Sequence, residues 1–221
     1  MAVRIFLLGR PGSGKTTAAS YLSMLARDEK SLSEKFLSLE VNDYTFLRKM
    51  CIADTDHRRF RPTDHNGFDV LDFSVLDEAL QDLEKEVTSL SDMYQFITIE
   101  FARDDYGKAL KIFSNTFLKD SYFLYFDTNL ETCLERIHAR VAQPISEGDH
   151  PSLSDEGFRK YYGKENNYYI QNYFVREFSL QEQQLIIVKN EGTKEMFVQE
   201  LRTHYHDVFQ PALKQLLLVL S

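Results

Sequence analysis

The chain has 221 residues, of which 43% are hydrophobic and 27% charged, a balance typical of a globular domain with a sizeable core. Its formal net charge of −8 argues against a dedicated nucleic-acid surface, which is usually basic. No apolar run approaches the roughly 20 residues that cross a membrane, so no membrane partner is expected. Two cysteines without metal-site spacing predict a protein of the reducing cytoplasm.

Apolar runs alternate with helical patterns, and this alternation predicts an α/β domain with a mainly parallel sheet. Strands are expected at Val3–Leu8, Phe36–Val41, Gln95–Phe101, Ser121–Asp127 and within Gln184–Gly192. Helices are expected from Lys15 to about Ala26, after a Ser74 N-cap, over Asp105–Lys119, over Leu130–Val141, and from near Thr193 up to a break or bend at Pro211.

A glycine-rich segment, GRPGSGKT, joins the first strand to the first helix and fits the pattern G-x-x-x-x-G-K-[ST]. Glycines let backbone N–H groups turn inward around phosphates, and the helix that follows adds the positive end of its dipole. The lysine supplies a charge to the β- and γ-phosphates, and the threonine offers a hydroxyl to Mg²⁺. The residues predicted to contact the nucleotide here are Gly9, Pro11, Gly12, Ser13, Gly14, Lys15, Thr16 and Thr17.

On this motif the chain resembles the P-loop NTPases, and its short spacing is similar to that of the nucleoside and nucleotide kinases among them. The resemblance implies a three-layer α/β/α sandwich whose five-stranded sheet has the order 2-3-1-4-5. It also implies ATP and Mg²⁺ as cofactors. One domain over residues 1–221 is expected, with an acceptor-binding region at 42–72 and a lid at 141–165.

Two acids near strand ends are candidates for the chemistry. With the implied strand order, Glu100 lies near Lys15 and Thr16, where it would hold Mg²⁺ or accept the acceptor's proton. Its alternative role is to cap the next turn. Asp43 matches the aspartate that meets the acceptor hydroxyl in uridine-kinase-like enzymes, with Glu40 as a competitor and a plain turn residue as the alternative.

Arginines after the second and third strands are candidates for acceptor binding. Arg58 and Arg61 lie where the resemblance places the acceptor, and they either bind an anion such as a monophosphate or form a solvated charged face. Arg103, just after Glu100, is a further acceptor-binding candidate.

A second pair of arginines lies on the helix after the fourth strand. Arg136 and Arg140 are four residues apart and therefore share one helix face. This helix resembles the lid-entry helix of nucleotide kinases, in which arginines reach the transferring phosphoryl group. Ion pairs with Glu131 or Glu135 are the alternative.

The loop after the fifth strand contains Asn190, and it resembles the place where these kinases surround adenine; a simple loop with a helix cap is the alternative. The combined prediction is a kinase that moves the γ-phosphoryl of ATP to a small molecule such as a nucleoside, nucleotide or hydroxyl metabolite. The rival functions are a regulatory ATPase and a nucleotide-binding sensor that acts on a protein or nucleic-acid partner. The acceptor and the oligomeric state stay open.

Overall fold

A computed structural model describes residues 2–28, 36–63, 67–143 and 154–220 of the chain. Residues 144–153, which belong to the predicted lid, lie outside the described residues. Within the described part, no helix combines the length and apolar character needed to cross a bilayer.

A five-stranded parallel sheet forms the centre of the molecule, in the order β2-β5-β1-β6-β7. Its strands are β1 (Val3–Leu8), β2 (Ser38–Asn42), β5 (Phe96–Phe101), β6 (Ser121–Asp127) and β7 (Leu185–Lys189). Numbered within this sheet alone, the order is 2-3-1-4-5, as expected. A separate antiparallel hairpin of β3 (Phe60–Pro62) and β4 (Phe68–Val70), which the sequence patterns did not predict, follows the second helix.

The helices lie between the strands in chain order. They are α1 (Lys15–Arg27), α2 (Asp43–Ala53), α3 (Ser74–Leu90), α4 (Tyr106–Ala109), α5 (Asn115–Lys119), α6 (Leu130–Ala142), α7 (Asp155–Tyr162), α8 (Asn167–Tyr169), α9 (Val175–Glu177), α10 (Lys194–His204) and α11 (Gln210–Leu220). Single turns of π-helix join α8 to α9 over Ile170–Phe174 and α10 to α11 over Tyr205–Phe209.

Two local predictions were wrong. Ser74 is the first residue of α3 rather than its cap, because Asp72 accepts the Ser74 N–H. The single helix over Asp105–Lys119 is two helices, since Phe113 is extended and Ser114 caps a new helix. Near the predicted break or bend at Pro211, the last helix changes to a π-helical turn over Tyr205–Phe209 before α11 begins at Gln210.

Hydrophobic cores on the two faces of the sheet give the three layers that were expected. One face packs against α1, α10 and α11, with Leu22, Leu201 and Leu213 fully buried. The opposite face packs against α2, α3, α4 and the segment from α8 to α9, and it is rich in phenylalanine. Buried strands that are apolar on both sides are typical of parallel sheets covered by helices.

The register of the sheet brings three strand ends to one edge. Glu100 of β5 is level with Leu7 of β1 on one side and with Asn42 of β2 on the other. The glycine-rich loop, Glu100 and the start of α2 therefore emerge side by side at the carboxyl ends of the strands, which is where open α/β sheets bind ligands.

Candidate active site

The loop Gly9–Thr16 has a backbone that only glycine adopts without strain at its key positions. Gly12 and Gly14 have φ angles of 82° and 103°. A Cβ atom on Gly14 would lie 2.5 Å from Asn190 Nδ2 and 3.1 Å from the Phe197 ring. The loop thus combines left-handed backbone with close packing, and its amides precede the N-terminus of α1, a geometry suited to anions.

Lys15 and Thr16 meet Glu100 at the start of α1. The Lys15 ammonium donates to the carbonyls of Gly9 and Arg10, both at 2.9 Å, and lies 3.9 Å from Glu100 Oε1. The Thr16 hydroxyl donates to the same carboxylate at 2.9 and 3.1 Å. The predicted contact between Glu100 and the glycine-rich loop is therefore present.

Burial shifts the ionisation of this pair. It lowers the pKa of Lys15, although Glu100 opposes the shift, and it raises the pKa of Glu100 against the influence of Lys15 and Thr16. A polyanion beside Lys15 and a divalent cation beside Glu100 would each favour the charged form. Binding of a polyanion and a cation would thus stabilise the charged forms of Lys15 and Glu100.

Two residues that support the loop have no signature in the sequence. Tyr106 of α4 is fully buried; its hydroxyl accepts the Gly9 N–H at 2.6 Å and donates to the Gly9 carbonyl at 3.0 Å. Arg10 occupies a variable position of the motif and donates to the carbonyls of Thr128 and Tyr162 at 2.9 and 2.8 Å. The loop is therefore fixed from below by α4 and from the side by the end of α7.

Asn190 and Arg136 join the glycine-rich loop to the loop after β7. The buried Asn190 amide donates to the Ser13 carbonyl at 2.9 Å, and the Asn190 carbonyl accepts from Arg136 at 2.9 Å. Arg136 also lies 3.5 Å from the Gly12 carbonyl. Both residues also belong to the wall of a cavity at this edge of the sheet. Their observed contacts, however, are with the backbone of the two loops.

Arg140, one turn further along α6, lies close enough to Lys15 and Glu100 to influence the pKa of both. Of the two arginines on α6, Arg136 contacts the backbone of the glycine-rich loop, whereas the charge of Arg140 acts on Lys15 and Glu100.

A cavity of about 1350 Å³ runs along this edge of the sheet. Its wall includes Pro11, Gly12, Gly14, Lys15, Thr16, Thr17, Glu100, Asn190, Arg136 and Arg140 at one end, and residues of α2, β4 and α7 at the other. Sites for a single small ligand usually have volumes of about 300–1,000 Å³, so this cavity has room for two ligands side by side.

Asp43 and Arg103 form a buried ion pair at the second end. Arg103 Nη1 donates to Asp43 Oδ2 at 2.5 Å and to the Ala102 carbonyl at 2.7 Å, and Nη2 donates to the Leu76 carbonyl at 2.8 Å. Burial tends to lower the pKa of Arg103, but the Asp43 carboxylate outweighs it and raises that pKa. Asp43 Oδ1 has no hydrogen-bond partner among the described residues.

Arg58 and Arg61 lie outside the cavity wall, and a role for them in acceptor binding stays a prediction. Arg58 is 81% exposed and pairs with Asp56, and Arg61 is 67% exposed and pairs with Asp69 across the β3–β4 hairpin. Neither belongs to the cavity wall. Long, charged side chains on a short hairpin gain more from hydration than from burial, so the solvated charged face is the arrangement observed.

Thr16 and Glu100 supply oxygen ligands of the kind that suit Mg²⁺. Magnesium usually binds one or two protein oxygens together with phosphates and water. Across the described ranges, no group of three or more His, Cys, Asp or Glu side chains could hold a metal ion by itself. The donor set at this site fits an ion that arrives with a polyphosphate.

The chain has the fold of the P-loop kinases. It is similar to the APS kinase CysC of Mycobacterium tuberculosis, solved with AMPPNP and APS, with 16% identity and a TM-score of 0.55 over 93% of this chain and 98% of that one. A sugar kinase from Janibacter sp. HTCC2649 is similar over 96% of this chain and 98% of its own, with 17% identity and a TM-score of 0.51.

Another similar structure is Kti12 from Chaetomium thermophilum in complex with ADP-AlF3. It has 14% identity, a TM-score of 0.53, and coverage of 93% of this chain and 98% of that one. No protein-family model matches the sequence, and no curated protein matches it significantly. These similarities define the fold.

Proposed function

We propose that the chain is an ATP- and Mg²⁺-dependent phosphotransferase that moves the γ-phosphoryl group of ATP to a small acceptor. The observation that carries the proposal is the continuous cavity, which has the glycine-rich loop, Lys15, Thr16 and Glu100 at one end and the Asp43–Arg103 pair at the other. The similarity in fold to a sugar kinase and an APS kinase is consistent with it.

The nucleotide end holds the triphosphate. The backbone amides of Gly12 to Thr16 would wrap the phosphates, and Lys15 would leave the carbonyls of Gly9 and Arg10 to bind the β- and γ-phosphates. Asn190 and Arg136 would keep the loop after β7 against the glycine-rich loop, beside the base. Direct contact of Asn190 with adenine remains a prediction.

Magnesium would be held by the Thr16 hydroxyl and, directly or through water, by Glu100. It would supply charge neutralisation for the phosphates. Burial raises the pKa of Glu100. The carboxylate form that binds a cation is therefore favoured only at a higher pH than for an ordinary glutamate.

In the transfer step, the acceptor hydroxyl oxygen bonds to the γ-phosphorus while the bond from that phosphorus to the β–γ bridging oxygen breaks. ADP leaves, and the hydroxyl proton passes to Asp43 Oδ1. Arg103 holds Asp43 in place through their hydrogen bond, and such positioning suits a loose transition state in which the proton leaves late. Arg140, near Lys15 and Glu100, would stabilise charge on the transferred group.

The test is an acceptor screen with γ-labelled ATP and Mg²⁺. We expect label to move from ATP to at least one nucleoside, nucleotide or hydroxyl metabolite, and we expect Lys15→Ala to abolish the transfer. Rapid ADP release without any acceptor, stimulated by a protein or nucleic acid, would instead support a regulatory ATPase. Tight ATP binding without turnover would support a sensor.

A further inference from the structure

The acceptor end of the cavity is defined by Asp43, Tyr44, Phe68, Phe73, Arg103 and Tyr161. Tyr44 follows Asp43 at the start of α2 and stacks on Phe68 of the hairpin, with ring centroids 5.5 Å apart and planes 10° apart. On another part of the wall, Phe73 stacks on Tyr161 of α7 at 5.8 Å. Two aromatic pairs from four different segments therefore flank the buried ion pair.

These rings present apolar faces to a ligand. Phe73 is 57% exposed although it lies in the cavity wall. Leu47, Val70 and Leu76 complete the lining of this part. Aromatic walls of this kind favour a flat or apolar group, because they bury it without leaving polar atoms unpaired.

The charges at the acceptor end disfavour the binding of an anionic acceptor. Arg103 is 6% exposed, and its guanidinium already bonds to Asp43 and to two backbone carbonyls. An anionic acceptor that displaced Asp43 from Arg103 would leave the Asp43 carboxylate buried and uncompensated, which is strongly unfavourable. Asp104 adds a second negative charge to this wall, and the nearby Lys160 is exposed on α7.

The cations expected to bind an anionic acceptor lie elsewhere. Arg58 and Arg61 are on the outer side of the hairpin in pairs with Asp56 and Asp69. Lys15, Arg136 and Arg140 belong to the nucleotide end, where the triphosphate itself requires them.

From this juxtaposition we infer that the acceptor is a hydroxyl compound that carries a flat apolar group and no phosphate or carboxylate. The inference rests on the proposed function and narrows its substrate class. The ring would lie between the pairs Tyr44–Phe68 and Phe73–Tyr161, and the hydroxyl would donate to Asp43 Oδ1 while its oxygen faces the γ-phosphate.

Matched compounds test the charge. Nucleosides and uncharged aryl alcohols are each compared with the same compound bearing a phosphate or a carboxylate, and with a free sugar that lacks the ring. Transfer of label from γ-labelled ATP is measured for each. We expect kcat/KM for the uncharged ring compound to exceed that of its anionic partner and of the sugar by about tenfold or more.

Two variants test the aromatic wall. Phe73→Ala should raise KM for the uncharged ring compound about tenfold, while Ile52→Ala, which removes an even more exposed apolar side chain of α2 outside the cavity, should leave it unchanged. Because both positions are exposed, both variants should fold.

The outcomes separate the two proposals. Preference for the anionic partner, or for the sugar, overturns the inference and leaves the phosphotransferase intact. Equal effects of Phe73→Ala and Ile52→Ala on KM also overturn it. If label passes to no acceptor in the whole set while ATP is still bound or hydrolysed, the proposed function itself fails, and the inference fails with it.

Discussion

At the scale of single residues, the nucleotide end depends on atoms with little freedom to move. Gly14 lies between Asn190 and Phe197 with a φ of 103°, and Tyr106 holds both backbone polar groups of Gly9. The motif predicted the positions of these glycines from the sequence alone. Tyr106 could not be recognised, since its aromatic ring fits the ordinary pattern of a core residue and only the fold brings its hydroxyl under the loop.

Gly14→Ala should lower the free energy of unfolding by about 2 kcal/mol, because the new Cβ meets Asn190 Nδ2 in a strained backbone conformation. Gly192→Ala is the matched control. Its φ is ordinary and its Cβ would touch only the flexible Met196 side chain, so the change should stay below about 0.5 kcal/mol. Denaturant unfolding measures both, and equal values would contradict the packing described for the loop.

Tyr106→Phe should cost about 1–2 kcal/mol of stability, since the buried Gly9 N–H loses its partner. Tyr122→Phe removes a hydroxyl that makes no hydrogen bond among the described residues, and it should be nearly neutral. The comparison uses the midpoint and slope of denaturant unfolding. A neutral Tyr106→Phe would mean that the hydroxyl does not support the loop.

The raised pKa of Glu100 predicts a pH dependence of activity. As the pH falls through that raised value, Glu100 becomes protonated and kcat/KM for MgATP should drop, above the pH at which an ordinary carboxyl would titrate. Glu100→Gln should lower kcat/KM and remove this acidic limb. If the limb persists unchanged in the variant, another group is responsible.

At the scale of elements, Arg10 joins the glycine-rich loop to the end of α7. It donates to the carbonyls of Thr128, Tyr162 and Lys164 and pairs with Glu165. On the same side of the molecule, α7 packs on α6 through Phe158, which belongs to a small third hydrophobic core. Part of the predicted lid, residues 154–165, is thus fixed to the nucleotide site by a side chain from a variable motif position.

Arg10→Gln should lower the free energy of unfolding by about 2 kcal/mol, because two partly buried carbonyls lose a charged donor. Arg58→Gln is the matched control, since Arg58 is 81% exposed and its loss should cost less than about 0.5 kcal/mol. Protease cleavage near residues 162–165 should also become faster in Arg10→Gln alone. Similar stability of the two variants would contradict the anchoring role.

Elements with one strong signal were predictable, and those decided by tertiary contacts were not. The strand before the glycines and the sheet order implied by the resemblance agree with the structure. The break at Phe113 escaped prediction, because that residue turns out of the helix to pack on Phe6 with ring centroids 5.1 Å apart. The hairpin of β3 and β4 is only three residues per strand, too short for a periodicity to emerge.

At the scale of the whole molecule, the parallel sheet puts two unlike sites in one cavity. The end at β1 and α1 is cationic and rich in backbone donors, whereas the end at α2 and α7 has aromatic walls around a neutralised ion pair. The glycine-rich motif predicted the site at β1 and α1 from the sequence. The sequence left the place of Arg58 and Arg61 open, because a basic run does not reveal which side of a hairpin its side chains occupy.

Calorimetric titration with AMPPNP and Mg²⁺ measures whether the glycine-rich loop binds a magnesium-bearing triphosphate. We expect one binding site per chain and an affinity reduced about thirtyfold or more in Lys15→Ala, which loses a buried charge partner of the phosphates. Absence of binding in the parent protein, or equal affinity in Lys15→Ala, would contradict this expectation.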